Sequence, residues 1–336
     1  GDVDVAISRI DGLLFRLQSD MGVTTDENGN VTAWKDQSGN ERHFAPPAKT
    51  EKPVRRVKGA IGETPALSFT AARRRGSVLQ SEPVKIEPQK GITLVILARA
   101  AEDLHLGHLL CYGNQHKTKG AMAIRLHGEA NYGKTWWHAL VHSKTKLQAP
   151  DANIAGKGFV FFVATYSPDQ KKLTIFQDGV RVGTTRCTQP LAEQYAFSVG
   201  AQPGGSWSFS GEVVEAIAIN NALGQDELRT LTQAVMQRYG LGGKPVSSMA
   251  PKLPYAYYPS KNQMEVAIEL SPELIEKSGT QPKKVQVRIR NAETDKQVAA
   301  GIVRLNNQYR GQTIFDVPDF PDGVYRVDYV IGDYVK

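Results

Sequence analysis

Six of the seven histidines fall between His105 and His142, so this is the stretch where side-chain type alone suggests metal binding or acid–base chemistry. The spacing argues otherwise. His138 and His142, in Trp136-Trp-His-Ala-Leu-Val-His142, stand four apart on a strand-like segment, roughly 13 Å by strand rise and too far to hold one ion together. His105-Leu-Gly-His108 reads as a turn. Surface or hydrogen-bonding histidines are the expectation.

Carboxylates offer little more. Glycoside hydrolysis needs two carboxyl groups about 5 to 9.5 Å apart, and residues two apart on a strand share a face at about that spacing. Glu212 and Glu215 are three apart and are expected on opposite faces. Glu265 and Glu269 share a face at roughly 13 Å, and Glu293 and Asp295 have the spacing but sit in a turn-like Asn-Ala-Glu-Thr-Asp run. There is no Gly-x-Ser-x-Gly nucleophile motif, and neither Cys111 nor Cys187 has a nucleophile's local setting. The chain is expected to lack catalysis, with carboxylates converging from separate strands as the one route left to a cryptic glycosidase or lyase.

Ligand binding is better supplied. A pyranose ring is recognised by a flat aromatic face with donors and acceptors beside it, and Asn131-Tyr-Gly-Lys-Thr-Trp-Trp-His138 offers that mixture. Adjacent strand residues point to opposite faces, so one of Trp136 and Trp137 is expected in the core and the other at the ligand. Trp207, in the Gly-rich Pro203-Gly-Gly-Ser-Trp-Ser-Phe209, is a second platform. His138, Arg125 and Asn114 are expected to satisfy hydroxyls, with His116 and His127 as further polar neighbours. The competing expectation is that these aromatics simply fill a β-sandwich core.

The elements that must position these residues read as short strands: Gly12–Leu17, Gly91–Ala98, Gly158–Thr165 and Lys172–Gln177, bounded by turn residues. Asp178-Gly179 and Asn28-Gly29 are hairpin signals. Closely spaced strands favour an all-β sandwich over a βαβ architecture. One helix interrupts them from Asp226 to Tyr239, where Leu228, Leu231, Val235 and Tyr239 recur at helical spacing and Gly240 follows as a stop. The Pro- and Gly-rich stretch 242–254 has linker composition, so a first domain of residues 1–241 and a second of 255–336, again built of strands, are expected.

With 336 residues, 40% of them apolar and 22% charged, the chain is globular in composition and long enough for two domains. Its apolar runs stop short of the roughly 20 residues a membrane helix needs. The formal charge of +7 is mild, with basic residues spread among acidic ones apart from Arg73-Arg74-Arg75. Nucleic acid is not an expected partner. The two cysteines either form one bridge or remain separate buried thiols. Opening on Gly1 and closing on Tyr334-Val335-Lys336, the chain reads as a fragment of a longer protein, so a missing leader says nothing about localisation.

Several pieces occur in the order of one family. Gly12–Asp20 is followed by Asn28-Gly-Asn-Val-Thr-Ala-Trp-Lys-Asp-Gln-Ser-Gly-Asn40, by Pro65-Ala-Leu-Ser-Phe69, by the hairpin Leu173–Val182 and by the closing Gly211–Leu223 before the helix. In these the first domain resembles the laminin G-like members of the concanavalin A-like lectin/glucanase superfamily. The resemblance implies a jelly roll of two curved antiparallel sheets. Tyr258–Glu265 and Pro318–Tyr325 resemble the immunoglobulin-like modules beside catalytic domains in large secreted bacterial proteins. The family's glucanases carry a Glu-x-Asp-x-x-Glu strand that this sequence lacks.

Laminin G-like relatives often hold calcium at the sandwich rim, so Asp36 is the residue to name for an ion. The alternative is that Asp36 and Ser38 hydrogen-bond a tight turn. Asp26-Glu-Asn-Gly-Asn30 starts like an EF-hand loop but has its glycine and its twelfth residue, Gln37, wrong; a hairpin turn is expected there. No other cofactor is expected.

The leading expectation is a non-catalytic β-sandwich module that binds carbohydrate, carried with neighbouring domains in a larger secreted, extracytoplasmic protein such as a glycoside hydrolase. The alternative is a structural or protein-interaction spacer that binds no glycan.

Overall fold

The structure is a computed structural model. It describes residues 7–102, 106–129, 134–149, 154, 156, 158–241, 257–258, 263–270, 275, 282–291, 296–316, 325–331 and 334–335. The chain divides into two compact units, Gly1–Leu241 and Gly242–Lys336. His105, Asn131, Glu293, Asp295 and the expected linker 242–254 lie outside the described residues.

In chain order the first unit carries β1 (Leu13–Gln18), β2 (Val23–Thr25), β3 (Val31–Trp34), β4 (Arg55–Ile61), β5 (Thr64–Phe69), β6 (Leu79–Lys85), β7 (Ile92–Ala100) and β8 (Gly107–Tyr112). Next come β9 (Met122–Glu129), β10 (Lys134–Val141), β11 (Thr145–Gln148), β12 (Val160–Ser167), β13 (Lys172–Gln177), β14 (Val180–Arg186), β15 (Gln194–Val199) and β16 (Gly211–Ile219). Helix α1 (Gln225–Arg238) closes the unit. One sheet runs β14-β13-β12-β7-β16-β5-β4 with β1 also on β16, and the other runs β11-β10-β9-β8-β15-β6. Every pairing between these strands is antiparallel, in a jelly-roll sandwich.

Alternation along the strands builds three layers. Phe15, Leu94, Ile96, Phe162, Ala216 and Ala218 of the eight-stranded sheet meet Leu110, Ile124, Leu126, Trp137 and Phe197 of the six-stranded one in the central core. The residues between them, Val95, Leu97, Phe161, Val163 and Ile217, point the other way and are covered by Leu228, Leu231, Val235 and Tyr239 of α1. The helix therefore needs only one apolar stripe, as its sequence shows. It begins at Gln225, where the Gly224 amide donates to Glu227 Oε2 at 2.8 Å, and Gly240 follows it at φ 62°. With α1 on the eight-stranded sheet, the outer face of the six-stranded sheet carries His108, Arg125, His127, Trp136 and His138 beside the buried apolar Cys111, Ala123 and Leu140.

The hairpin at Asp178-Gly179 forms as expected, both residues at positive φ (50° and 81°) and Gln177 paired with Val180. At Asn28-Gly29 the turn is longer: Asp26 Oδ1 accepts from the Asn28 and Asn30 amides and Oδ2 from Asn30 Nδ2, an Asx-type closure that lowers the Asp26 pKa. Cys111 and Cys187 are separate, free and buried.

The second unit has β17 (Tyr257–Tyr258), β18 (Gln263–Glu269), β19 (Lys284–Asn291), β20 (Gln297–Arg304), β21 (Arg310–Asp316), β22 (Tyr325–Ile331) and β23 (Tyr334–Val335). Sheets β17-β18-β21 and β20-β19-β22-β23 share a core of Val266, Ile268, Val285, Val287, Val303 and Ile331. Strand β21 escaped the sequence reading because its apolar Ile314 points to solvent rather than to that core.

Candidate functional site

Register sets the site. On the outer face of the six-stranded sheet, Gln148 of β11 pairs with His138 of β10, His138 with Arg125 of β9, and Arg125 with His108 of β8. Past His108 the row ends on Gln202, whose Nε2 lies 3.2 Å from His108 Nε2. Two residues along from His138 and Arg125, Trp136 pairs with His127, and their rings stack at 4.4 Å and 19°. Strands about 4.8 Å apart make this a continuous strip from Trp136 across to the loop that carries Trp207.

Each polar member has a readable state. Indole nitrogen is donor only, so Trp136 Nε1 donates to His138 Nε2 at 3.0 Å; Gln148 Oε1 lies 3.2 Å from the same nitrogen, and Nδ1 is buried and without a partner. Burial pushes His138 down to about 4, and burial, with Arg125 adding to it, pushes His108 down to about 3. Both rings are neutral at neutral pH. Gln202 is fully buried with its Oε1 unpaired. Arg125 is half-buried, and its buried Nε has no hydrogen-bond partner.

Trp207 stands at the His108 end. It is 48% exposed and held at φ 55°, a left-handed conformation unusual for a bulky residue. The loop fixes it there: Gln202 and Ser206 close a turn, Gly205 donates to the Gln202 carbonyl, and the His108 amide donates to the Trp207 carbonyl at 2.9 Å. The His116 ring sits 5.8 Å from the indole. Trp207, His116, Asn114, Lys117, Arg74 and Arg75 line a cleft of about 600 Å³. A neighbouring depression of about 470 Å³ shares Arg74 and Trp207 with it and adds Arg73. Asn114 also shapes its own loop, Oδ1 accepting from the His116 and Lys117 amides.

The structure thus brings Trp136, His138 and Arg125 onto one face and puts Trp207 and Asn114 at its end. Trp137 is corrected: it is fully buried in the central core, edge-on to Phe162 at 5.1 Å, with its Nε1 donating to Gln177 Oε1 at 2.9 Å. The parity of β10 decides this. His108 and Gln202 were not foreseen as members of the strip. His108 read as part of a turn, although Gly107–Tyr112 is strand and its alternation with Leu110 was the available signal.

Asp36 lies elsewhere, fastening the loop after β3 to β1. Its Oδ1 accepts from the Arg16 and Ser38 amides at 2.9 and 2.8 Å, and its Oδ2 from Ser38 Oγ and the Arg42 amide at 2.7 and 3.1 Å. A carboxylate ringed by N–H and O–H donors does not fit a cation, so the turn, not calcium, is its role. Among the described residues no cluster of three or more His, Cys, Asp or Glu is placed to hold a metal ion.

The strand carboxylates are paired with arginines. Contrary to the sequence expectation, Glu212 and Glu215 share a face, because a bulge between Val213 and Glu215 resets the alternation. Glu215 is buried against Arg16 at 2.6 Å, and Glu212 pairs with Arg99 at 2.5 Å.

No protein-family model and no curated protein matches the chain. Among solved structures it is similar to domain 4 of AbnA, a GH43 extracellular arabinanase from Geobacillus stearothermophilus in complex with arabinotriose. The identity is 15% over 66% of this chain and 98% of that one, with TM-score 0.43. It is similar to the CBM40 of Ruminococcus gnavus IT-sialidase bound to α2,3-sialyllactose, at 18% identity over 46% of this chain and 97% of that one, TM-score 0.35. A heptameric SAP-like pentraxin from Limulus polyphemus shows 14% identity over 49% of this chain and 80% of that one, TM-score 0.40. At these identities the likeness is one of fold alone.

Proposed function

We propose that residues 1–241 form a non-catalytic carbohydrate-binding module that takes a sugar chain along the outer face of the six-stranded sheet, between Trp136 and Trp207. The observation that carries this reading is the exposed indole of Trp207 at a cleft of about 600 Å³ that it lines with Asn114, His116, Lys117, Arg74 and Arg75. Arg125, half-buried with its Nε unpartnered, adds a donor group on the sheet face, whereas His138 and Gln202 are closed to solvent. The exposed indole of Trp207, held in a left-handed backbone, supports an aromatic platform for the apolar side of a pyranose. Non-catalytic action is supported by the cleft lining, which offers arginine, lysine, histidine, amide and hydroxyl groups but no carboxylate among the described residues.

The reading implies a glycan as partner and an extracytoplasmic setting within a longer chain. Among the described residues no helix is long and apolar enough to cross a membrane. A glycan-array screen of the whole chain, followed by calorimetric titration of each hit, tests it. Binding is expected in the micromolar to millimolar range, about −4 to −8 kcal/mol. Trp207→Ala and Trp136→Ala should each weaken it about tenfold, the loss of one stacking contact. Absence of binding across the array, or hits indifferent to both substitutions, would return the chain to the spacer alternative.

A further inference from the structure

Across the strip and the cleft the charges have one sign. Arg125, half-buried at the centre of the strip, forms no hydrogen bond or ion pair with the described residues. Its strand neighbours His138 and His108 are neutral imidazoles, and burial raises the pKa of the nearby Cys111 thiol, which therefore supplies no thiolate. A guanidinium taken partly out of water without a counter-ion is costly, and arginines elsewhere in this unit avoid that state: Arg16 pairs with Glu215, Arg99 with Glu212 and Arg238 with Asp20. At the Trp207 end, Arg74, Arg75 and Lys117 are exposed and without an ion pair among the described residues. Glu51 donates its amide to the Arg75 carbonyl but does not pair with the side chain.

The arginine loop is not loosely placed. The Gly76 amide donates to the Gly205 carbonyl at 3.1 Å, and the Ala72 and Ala71 amides donate to Ser208 Oγ and Ser210 Oγ at 3.1 and 3.0 Å. The backbone that carries Arg73-Arg74-Arg75 is thus fastened to the one that carries Trp207, so cations and indole are presented together.

We propose that the ligand is an acidic glycan whose carboxylate or sulfate is taken by the Arg125 guanidinium in the strip, while Arg74, Arg75 and Lys117 draw it in from the cleft. This rests on the reading of the face as a sugar site and names the class of sugar. The guanidinium fork suits both planar carboxylate and sulfate oxygens. Arginine with exposed tryptophan also suits single-stranded nucleic acid, but that partner needs a basic groove with repeated aromatics along its length. Here the exposed cations gather in one cleft around one indole.

The test uses the whole chain and matched probes: oligogalacturonate against its methyl ester, sulfated galactan oligosaccharide against its desulfated form, and an oligothymidylate of equal charge. The acidic member of at least one pair should bind tenfold or more tighter than its neutral partner, and which pair does so identifies carboxylate or sulfate as the group held. Arg125→Gln should weaken the acidic member tenfold or more and its neutral partner less, so that the preference between the two is lost. Arg74→Gln, Arg75→Gln and Lys117→Gln combined should slow association and flatten its salt dependence more than they speed dissociation. Equal affinity for both members of each pair overturns the inference and leaves the sugar reading standing. No sugar binding at all overturns both, and tighter binding of oligothymidylate than of any acidic sugar overturns the inference in favour of nucleic acid. Should Arg125→Gln lower the urea midpoint, Arg125→Lys, which keeps the charge and loses the fork, carries the comparison, with a weakened acid preference expected.

Discussion

Two adjacent tryptophans of one strand do opposite work, and their difference is measurable. Trp137 is enclosed by the central core and Trp136 lies on the outer face over His127. Trp137→Ala is expected to cost about 3–5 kcal/mol of stability through the lost burial and cavity, whereas Trp136→Ala should cost under about 1 kcal/mol and act on ligand binding instead. Urea unfolding of the two variants checks this, and a reversed order would mean that the strand parity is wrong. The sequence gives this pair as one inside and one outside without saying which, because parity follows from the register of β10 on β9 and β11, which one chain's residue order does not encode. The buried histidines make a second residue-scale prediction. His138 and His108 stand at about 4 and about 3 in the fold, below the ordinary value of about 6.5, so the unfolded chain binds more protons on acidification. Their contribution is complete above about pH 6.5 and is lost as the pH falls toward about 4 for His138 and about 3 for His108, roughly 4 kcal/mol for the pair between pH 7 and 5. Urea midpoints at those two pH values should show the fall, and His108→Gln should flatten it; a midpoint equal at both would show that the rings protonate without penalty in the folded chain.

At the scale of elements, what was legible was whatever is written locally. The hairpin at Asp178-Gly179 and the apolar stripe of α1 are short-range signals, and both formed within a residue of expectation. The bulge in β16 was not legible: it puts Glu212 and Glu215 on one face through pairing with β7, a partner remote in sequence. Nor was the fastening of the arginine loop to the Trp207 loop, since Gly76 and Gly205 give no hint of each other along the chain. The signal that did exist was the Arg73-Arg74-Arg75 run with no nearer acids than Glu63 and Glu82. That fastening is testable through Gly76, where an added Cβ would lie 2.2 Å from Ser208 Oγ and 2.7 Å from the Thr70 carbonyl oxygen. Gly76→Ala must therefore move the two loops apart. It should destabilise the unit by about 1–3 kcal/mol and weaken glycan binding while leaving the Trp136 end of the strip intact. Iodide quenching in a Trp136→Phe background, where Trp34 and Trp137 are fully buried and only Trp207 is exposed, would report the shift, and unchanged quenching with unchanged affinity would show the loops to be independent.

For the whole molecule, the layer order explains why a binding face exists at all. A jelly roll has two outer faces, and this chain spends its helix on one of them, packing Leu228, Leu231 and Val235 onto the eight-stranded sheet. The six-stranded sheet keeps a polar outer row, and the loops after β5, β8 and β15 supply the arginines, the His116 turn and Trp207 at its end. All of these groups belong to residues 1–241, and the two cores of that unit share no residue with the core of Val266, Ile268, Val285 and Val287 in the second. A chain cut to residues 1–241 is therefore expected to fold alone, with a dissociation constant for any glycan hit within about twofold of the whole chain's, since distant independent groups contribute additively. Calorimetry of the whole chain should resolve two unfolding transitions, and truncation should remove the smaller, because enthalpy scales with the number of residues folded. If the truncated chain folds but loses the ligand, part of the site belongs to the second unit, and the strip between Trp136 and Trp207 is not sufficient for binding.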